Sequence, residues 1–380
     1  MSGRSALRLL GVTVRDVSDW RQPSPQGKSS QLFAALAEQF SLVDVVRAQP
    51  SREQELVNLA RSAHPSKRVW LARADFNQRV LRQRSASVQR GLERHRGAFD
   101  LIFQLQTMCG PGLPGSGEPY VIYTDCTLAL IRRHFAPYAP ISPTMARDWM
   151  RFESDVCRGA RTVFTYSQFA RASMIEDYGC SPEQVHVVGA GSNHLRADFA
   201  PVDRPSPVAL FVGRDFIFKG GDVLLRAWGA VHRELPQARL IIAGPKRGRR
   251  EFDSPGVEWV GRIGWQELNA LYRSSSLFVL PTRFDAWGLS FLEAMGSGLP
   301  CVGTACCAMP EMIDDGVNGR LVAPGEAEPL AEALLELLGD PARLAEMGRA
   351  AYDRVLRDFR WPVVAQRMRE RLSLPEVPAG

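Results

Sequence analysis

Short apolar runs alternate along the whole chain with stretches whose apolar residues recur at helical spacing. In the first half the runs fall at 6–14, 42–46, 101–104, 120–123, 162–165 and 185–188, with helices predicted near 31–39 and over 167–178. A long Arg-rich segment reaches Arg96. That order suits a parallel sheet, because parallel neighbours need a crossover long enough to hold a helix. Pro201, Pro205 and Pro207, set among polar residues, fit neither a helix nor a central strand and mark a linker. The pattern then restarts, with runs at 208–212, 239–243, 257–260, 277–280, 301–303 and 319–321 and helices predicted at 221–233 and 265–273. Helical spacing continues at 329–338, 344–359 and 361–372.

The expected fold class is α/β, two Rossmann-like doubly wound domains facing across a cleft. The first is placed at 1–200, a linker at 201–207, the second domain at 208–355 and a terminal helical segment at 356–380. A chain of 380 residues agrees, being too long for one ordinary core.

Composition narrows the classes. A hydrophobic content of 45% with 23% charged residues is that of a globular protein and excludes a disordered or fibrous one. No apolar run approaches the roughly 18–20 residues of a membrane-spanning helix, and no signal peptide is legible, so a cytoplasmic location is expected. Seven cysteines, an odd number without a C-x-x-C pair, suggest reduced thiols rather than a disulfide framework or a zinc site. A net charge of +6 favours an anionic ligand or surface. Lysine occurs only at Lys28, Lys67, Lys219 and Lys246, so a lysine inside a glycine-rich turn stands out.

The segment 284–300 follows the apolar run 277–280 and reads as strand, loop and helix start. It places Asp285 on the loop and Glu293 eight positions later in the helix, both able to face a ligand at a helix N-terminus, where backbone amides attract phosphate. Carboxylates beside a phosphate site make sense when they accept hydrogen bonds from sugar hydroxyls; on spacing alone, an acidic loop before a helix-face glutamate fits equally. A second loop, Phe211-Val212-Gly213-Arg214 then Lys219-Gly220-Gly221, puts two cations between a strand and a helix. A planar fork and a point charge suit a diphosphate leaving group, although two solvated loop charges are the plain alternative.

The first of these segments resembles the E-x7-E signature of family four glycosyltransferases, retaining enzymes of the two-domain GT-B fold, with Asp285 where the first glutamate is usual. The resemblance implies that the first acid contacts the transferred sugar, that Glu293 contacts the ribose, and that amides near Gly288, Leu289 and Ser290 touch sugar and diphosphate. The second segment resembles the family's donor motif, in which Gly213, Arg214 and Lys219 would hold the two phosphates with no metal. Further similarity lies at Ala243-Gly244-Pro245, at Val260-Gly261-Arg262 where the family's base-binding loop falls, and at Pro310-Glu311 through Asp315-Gly316 to Asn318-Gly319. Cys307-Ala308 replaces a glycine pair of the family, and Phe359-Arg360-Trp361 resembles its last helix, which implies that 356–380 packs back on the first domain.

First-domain matches are looser. Gly27, beside Lys28, stands where the family shows a glycine pair opposite the donor phosphates, and an ordinary polar loop fits as well. Asp125, after the run 120–123, substitutes for a histidine that contacts the donor sugar, or else caps the next helix. The resemblance implies a hexosyltransferase acting with retention, no cofactor beyond the nucleotide-diphosphate sugar co-substrate, and a front-face mechanism in which a β-phosphate oxygen helps deprotonate the acceptor. The acceptor stays open: polysaccharide, lipid-linked or small molecule. Ten basic residues between Arg61 and Arg96, against Asp75 and Glu93, suit a peripheral contact with anionic membrane, an acidic acceptor, or an arginine-coated solvent face. The alternatives are a non-catalytic nucleotide-sugar binder and a sugar-nucleotide epimerase of the same fold; no nucleic-acid-binding motif is present.

Overall fold

The computed structural model describes residues 7–373 except 16, 18–19, 24–27, 112–116, 197–198, 200–206 and 246–253. Two compact units divide the chain, Met1–Ala190 with Trp361–Gly380, and Gly191–Arg360. The divisions expected at 200 and 355 thus fall at 190 and 360, and most of the expected linker lies outside the described residues.

In the first unit the chain runs through β1 (Arg8–Thr13), α1 (Lys28–Gln39), β2 (Ser41–Arg47), α2 (Arg52–Arg61), α3 (Lys67–Asp75), α4 (Gln78–Arg94), β3 (Leu101–Leu105) and β4 (Tyr120–Thr124). It continues with α5 (Leu128–Phe135), α6 (Pro143–Arg158), β5 (Thr162–Thr165), α7 (Gln168–Glu176) and β6 (Val185–Val187). The six strands pair in parallel in the order β2-β1-β3-β4-β5-β6. The inner strands are buried on both faces, which explains why they read as apolar runs rather than alternations. One face packs Leu10, Val12 and Ile102 against Val88 and Leu92 of α4.

The second unit repeats the plan with β7 (Val208–Val212), α8 (Gly221–Glu234), β8 (Arg239–Ala243), β9 (Val257–Gly261), α9 (Trp265–Ser274) and β10 (Leu277–Leu280). It closes with α10 (Leu289–Gly296), β11 (Cys301–Thr304), α11 (Met309–Met312), β12 (Gly319–Val322), α12 (Ala327–Leu338) and α13 (Pro341–Asp358). Its parallel sheet has the order β12-β11-β10-β7-β8-β9. The last helix, α14 (Trp361–Ser373), belongs to the first unit, where it packs on α1 and Arg367 Nη1 donates to the Val188 carbonyl at 3.2 Å. Both units are Rossmann-like. Among the described residues no helix is long and apolar enough to cross a membrane.

Helices α5 and α6 fill a stretch in which the sequence pattern shows no element. Ala146, Trp149, Val156 and Cys157 make α6 amphipathic, but Glu153 occupies a position on the same buried face. Its carboxylate accepts from Thr107 Oγ1 at 2.6 Å, the Leu128 amide at 3.2 Å, the Tyr178 hydroxyl and the Trp149 indole. It thereby ties the loop after β3 and the start of α5 to α6. Glu153→Ala leaves these donors without an acceptor and should destabilise the unit by about 3 kcal/mol in urea unfolding. Burial pushes the Glu153 carboxyl above its ordinary 4.5, against the pull of its donors. The folded chain therefore keeps a proton that the unfolded chain releases, and this group's contribution to stability declines as the pH rises from 4.5 through the raised folded value. The stability difference between the wild type and Glu153→Gln should accordingly shrink from pH 4.5 towards neutrality.

Candidate functional site

In the second unit the chain builds β7, β8 and β9 outward in one direction, then returns to lay β10 on the other side of β7. The carboxyl ends of β7 and β10 therefore flank the point where the strand order reverses, the usual ligand crevice of an open α/β sheet. The loop after β7 carries Gly213, Arg214 and Lys219; the loop after β10 carries Asp285 and leads through Gly288 into α10.

The two loops are locked together. Arg283 donates from both terminal nitrogens to the Asp222 carboxylate at 2.7 Å each, and its amide bonds the Phe218 carbonyl at 3.2 Å. Such a two-point fork fixes orientation as well as separation. Lys219 Nζ forms an ion pair with Asp285 Oδ2. Asp285 Oδ1 accepts from the Gly288 amide at 2.8 Å and the Trp287 amide at 3.4 Å. Burial alone would push the Asp285 carboxyl up, but the Lys219 charge and these amides hold it below its ordinary value. Both carboxylate oxygens are thus engaged, Oδ1 by amides of its own loop and Oδ2 by Lys219 of the loop after β7.

Two glycines make the geometry possible. Gly220 caps α8 at φ 75°, and a Cβ there would sit 1.8 Å from the Pro281 carbonyl oxygen, so the backbones of the two loops touch. Gly288 caps α10 in the same left-handed region, φ 56°. The amides of Leu289 and Ser290 open that helix, where they have no intrahelical acceptor and favour an anion. Arg214 is exposed, and no described residue forms an ion pair with it. Backbone bonds from Gly213 to Ala243 at 3.0 Å and from Gly244 to Gly261 at 2.6 Å lace the ends of β7, β8 and β9. Gly261 ends the edge strand, two strand spacings or about 10 Å from β7, and the exposed Arg262 follows it.

Glu293 lies in the second turn of α10, half-buried, and accepts from the Tyr272 hydroxyl at 3.2 Å. This tie to α9 could not be read from the motif. Cys307 has φ 54°, the left-handed region that favours glycine, at the place where the family resemblance has a glycine pair. The free Cys307 thiol donates to the Cys306 sulfur and, with Thr304, holds the Cys306 thiol below its ordinary 9 against burial and the Asp285 charge. The residues of the last motif serve the fold: Asn318, buried, accepts from the Asp314 amide at 3.0 Å, and Asp315 accepts from the Leu321 amide at 2.9 Å.

In the first unit Asp125 stands half-buried at the carboxyl end of β4. The cap of α5 is Thr127, whose hydroxyl accepts from the Leu130 amide at 3.1 Å, so helix capping does not account for Asp125. Gly27 lies outside the described residues, and Lys28 opens α1. Among the described residues no group of three or more His, Cys, Asp or Glu could hold a metal ion.

Residues 206–340 match the family model described as Glycosyl transferases group 1. The chain is 32% identical over 222 residues to D-inositol 3-phosphate glycosyltransferase of Corynebacterium aurimucosum, covering 51% of this chain and 52% of that one. It spans little more than half the length of the first curated relatives it matches. Sucrose-phosphate synthase of Thermosynechococcus elongatus shares the fold at TM-score 0.69 and 18% identity, over 96% of this chain and 98% of that one. Anabaena Alr3699/HepE, solved with UDP and glucose, does so at TM-score 0.63 and 18% identity, over 97% of this chain and all of that one.

Proposed function

We propose that this chain, a group 1 glycosyl transferase through residues 206–340, moves a hexosyl sugar from a nucleotide diphosphate to an acceptor hydroxyl, with retention and without a metal. The observation that carries the reading is the Lys219–Asp285 pair, which joins the loop that carries Arg214 to the loop that opens α10 at the switch point between β7 and β10. An ammonium has three donors. One serves Asp285, which leaves two for a diphosphate whose negative charge grows as the glycosidic bond breaks. Arg214 adds its fork to the same charge, and Gly261 and Arg262 stand at a distance suited to the nucleoside.

In this mechanism the bond from the anomeric carbon to the β-phosphate oxygen breaks as the acceptor oxygen bonds that carbon from the same face. The acceptor proton passes to the departing diphosphate, so no protein nucleophile is needed. Asp285 positions Lys219 and closes the α10 loop, and Glu293, steadied by Tyr272, takes the ribose hydroxyls. Asp125 is assigned to the sugar. The sole cofactor-like molecule is the co-substrate itself. A second reading, a non-catalytic nucleotide-sugar binder, draws on the engagement of both Asp285 oxygens by protein groups, Lys219 and the Gly288 amide.

A metal-free panel of UDP-, GDP- and ADP-sugars with cell-extract acceptors tests this. One donor should give acceptor-dependent release of its nucleoside diphosphate, and Arg214→Ala should weaken donor binding by about tenfold. Binding without release would favour the second reading, and no binding of any donor would remove the site assignment.

A further inference from the structure

We propose that the open cavity between α2, α3, α4 and α6 in the first unit seats a phosphate group carried by the acceptor. The inference rests on the transferase reading and names the acceptor's chemistry. The cavity holds about 460 Å³, within the range of small-molecule pockets, roughly 300–1,000 Å³. It is therefore large enough for a phosphate together with the polyol or headgroup that bears it.

Three arginines line it, Arg61 at the end of α2, Arg73 on α3 and Arg79 in the first turn of α4. Asp148 of α6 is the one carboxylate among the lining residues, so the wall keeps a formal charge of +2. Some arginines elsewhere pair with carboxylates, Arg8 with Asp100, Arg84 with Asp75, Arg133 with Asp177 and Arg354 with Asp314. Among the described residues none forms an ion pair with Arg61, Arg73 or Arg79. Three like charges on one small cavity repel one another, and an anion inside relieves all three at once. Arginine rather than lysine at each position suits a phosphate, which the planar fork meets with two parallel bonds.

The topology puts this cavity on the reactive edge of its unit. Helix α4 leads into β3 and α6 into β5, and in a parallel sheet a helix that leads into a strand begins at the edge where the strands end. The N-termini of α4 and α6 therefore share an edge with Thr107, after β3, and Asp125, after β4. Their caps are already committed, Asn77 to the Val80 amide at 3.0 Å and Ser142 to the Met145 amide at 3.2 Å, so the arginines do the recognising. Trp149, 1% exposed, also lines the cavity and gives it an optical reporter.

The phosphate can belong to a soluble phosphoester or to a lipid headgroup, and exposed Leu56, Val57 and Leu71 on α2 and α3 make the second source worth a separate arm. Glycerol 3-phosphate is titrated into the full chain, read by calorimetry and tryptophan fluorescence. Co-sedimentation is run with phosphatidylcholine vesicles, with and without phosphatidylglycerol. Wild type is compared with the double variant Arg73→Ala/Arg79→Ala and with Arg61→Gln, an exposed change at a helix end that leaves the fold intact. The expected result is saturable glycerol 3-phosphate binding, weakened at least about tenfold in the double variant and less in Arg61→Gln. Nucleoside diphosphate binding, which belongs to the other unit, should be equal in all three proteins. Vesicle binding that needs both phosphatidylglycerol and these arginines would support the headgroup source. Phosphoester and vesicle binding that are absent, or equal in wild type and variants, would overturn the proposal. Loss of nucleoside diphosphate binding in the wild type with phosphoester binding intact would instead strike the donor reading.

Discussion

Lys219→Ala should lower kcat/KM for the sugar donor by about 10²–10³-fold, because it removes a preorganised cation aimed at charge that develops as the diphosphate leaves. The same change strands Asp285. In the wild type the Lys219 charge and two loop amides hold that carboxyl below its ordinary 3.8 even though burial pushes the other way. A lowered carboxyl stabilises the fold above its unfolded value and loses that contribution as pH falls through the folded value. Without Lys219 the neutral-pH contribution disappears and a mostly buried carboxylate is left uncompensated. A cost of about 2 kcal/mol follows, below the range for fully buried pairs since both side chains keep about a fifth of their exposure. Thermal unfolding from neutral pH downward separates the two effects. The stability gap between wild type and variant should narrow as Asp285 is protonated below about pH 4, whereas the catalytic loss should persist wherever activity is measurable. A gap that is flat with pH would mean that the pair contributes nothing to the fold.

Gly220→Ala should cost more stability than any surface change in the second unit. A Cβ at this position would lie 1.8 Å from the Pro281 carbonyl oxygen and 2.7 Å from its carbon, with φ at 75°. Neither obstacle is the end of a flexible side chain, so relief requires the loop after β7 to separate from the end of β10. We expect a loss of at least about 4 kcal/mol, or roughly 8–16 °C in Tm for a unit of this size. The companion change Gly229→Ala, in the middle of α8 where a Cβ would meet nothing within 4 Å, should stabilise by up to about 1 kcal/mol. Opposite signs at two glycines nine positions apart would show that contact between the loops, rather than glycine content, sets the response. Nucleoside diphosphate binding should fall with Gly220→Ala and stay unchanged with Gly229→Ala.

The two loops of the candidate site are legible in the sequence. Gly213, Arg214, Lys219, Asp285 and Glu293 were singled out because cations, glycines and carboxylates sat on loops between an apolar run and a helix, a local arrangement. Their partners were not legible. Lys219 and Asp285 are 66 positions apart, and Glu293 meets Tyr272 across 21, so no local spacing announces either contact. Helices α5 and α6 escaped because the first is short and the second sets Glu153 on its buried face, which breaks the apolar pattern until Thr107, Leu128, Trp149 and Tyr178 are seen around it. Arg61, Arg73 and Arg79 were visible only as members of a basic stretch.

By itself the sequence determined the alternation of strands and helices, the restart near residue 208, and the loops of the candidate site. Each of these is written in hydrophobic period, turn residues and motif spacing within a few tens of residues. The tertiary structure decided that β10 lies beside β7 and that the units divide at 190 and 360. It also chose, among arginines that look alike in sequence, the three that share a cavity. Strand order and side-chain partners depend on contacts between distant segments, whose free energy exists only once the chain has folded around them.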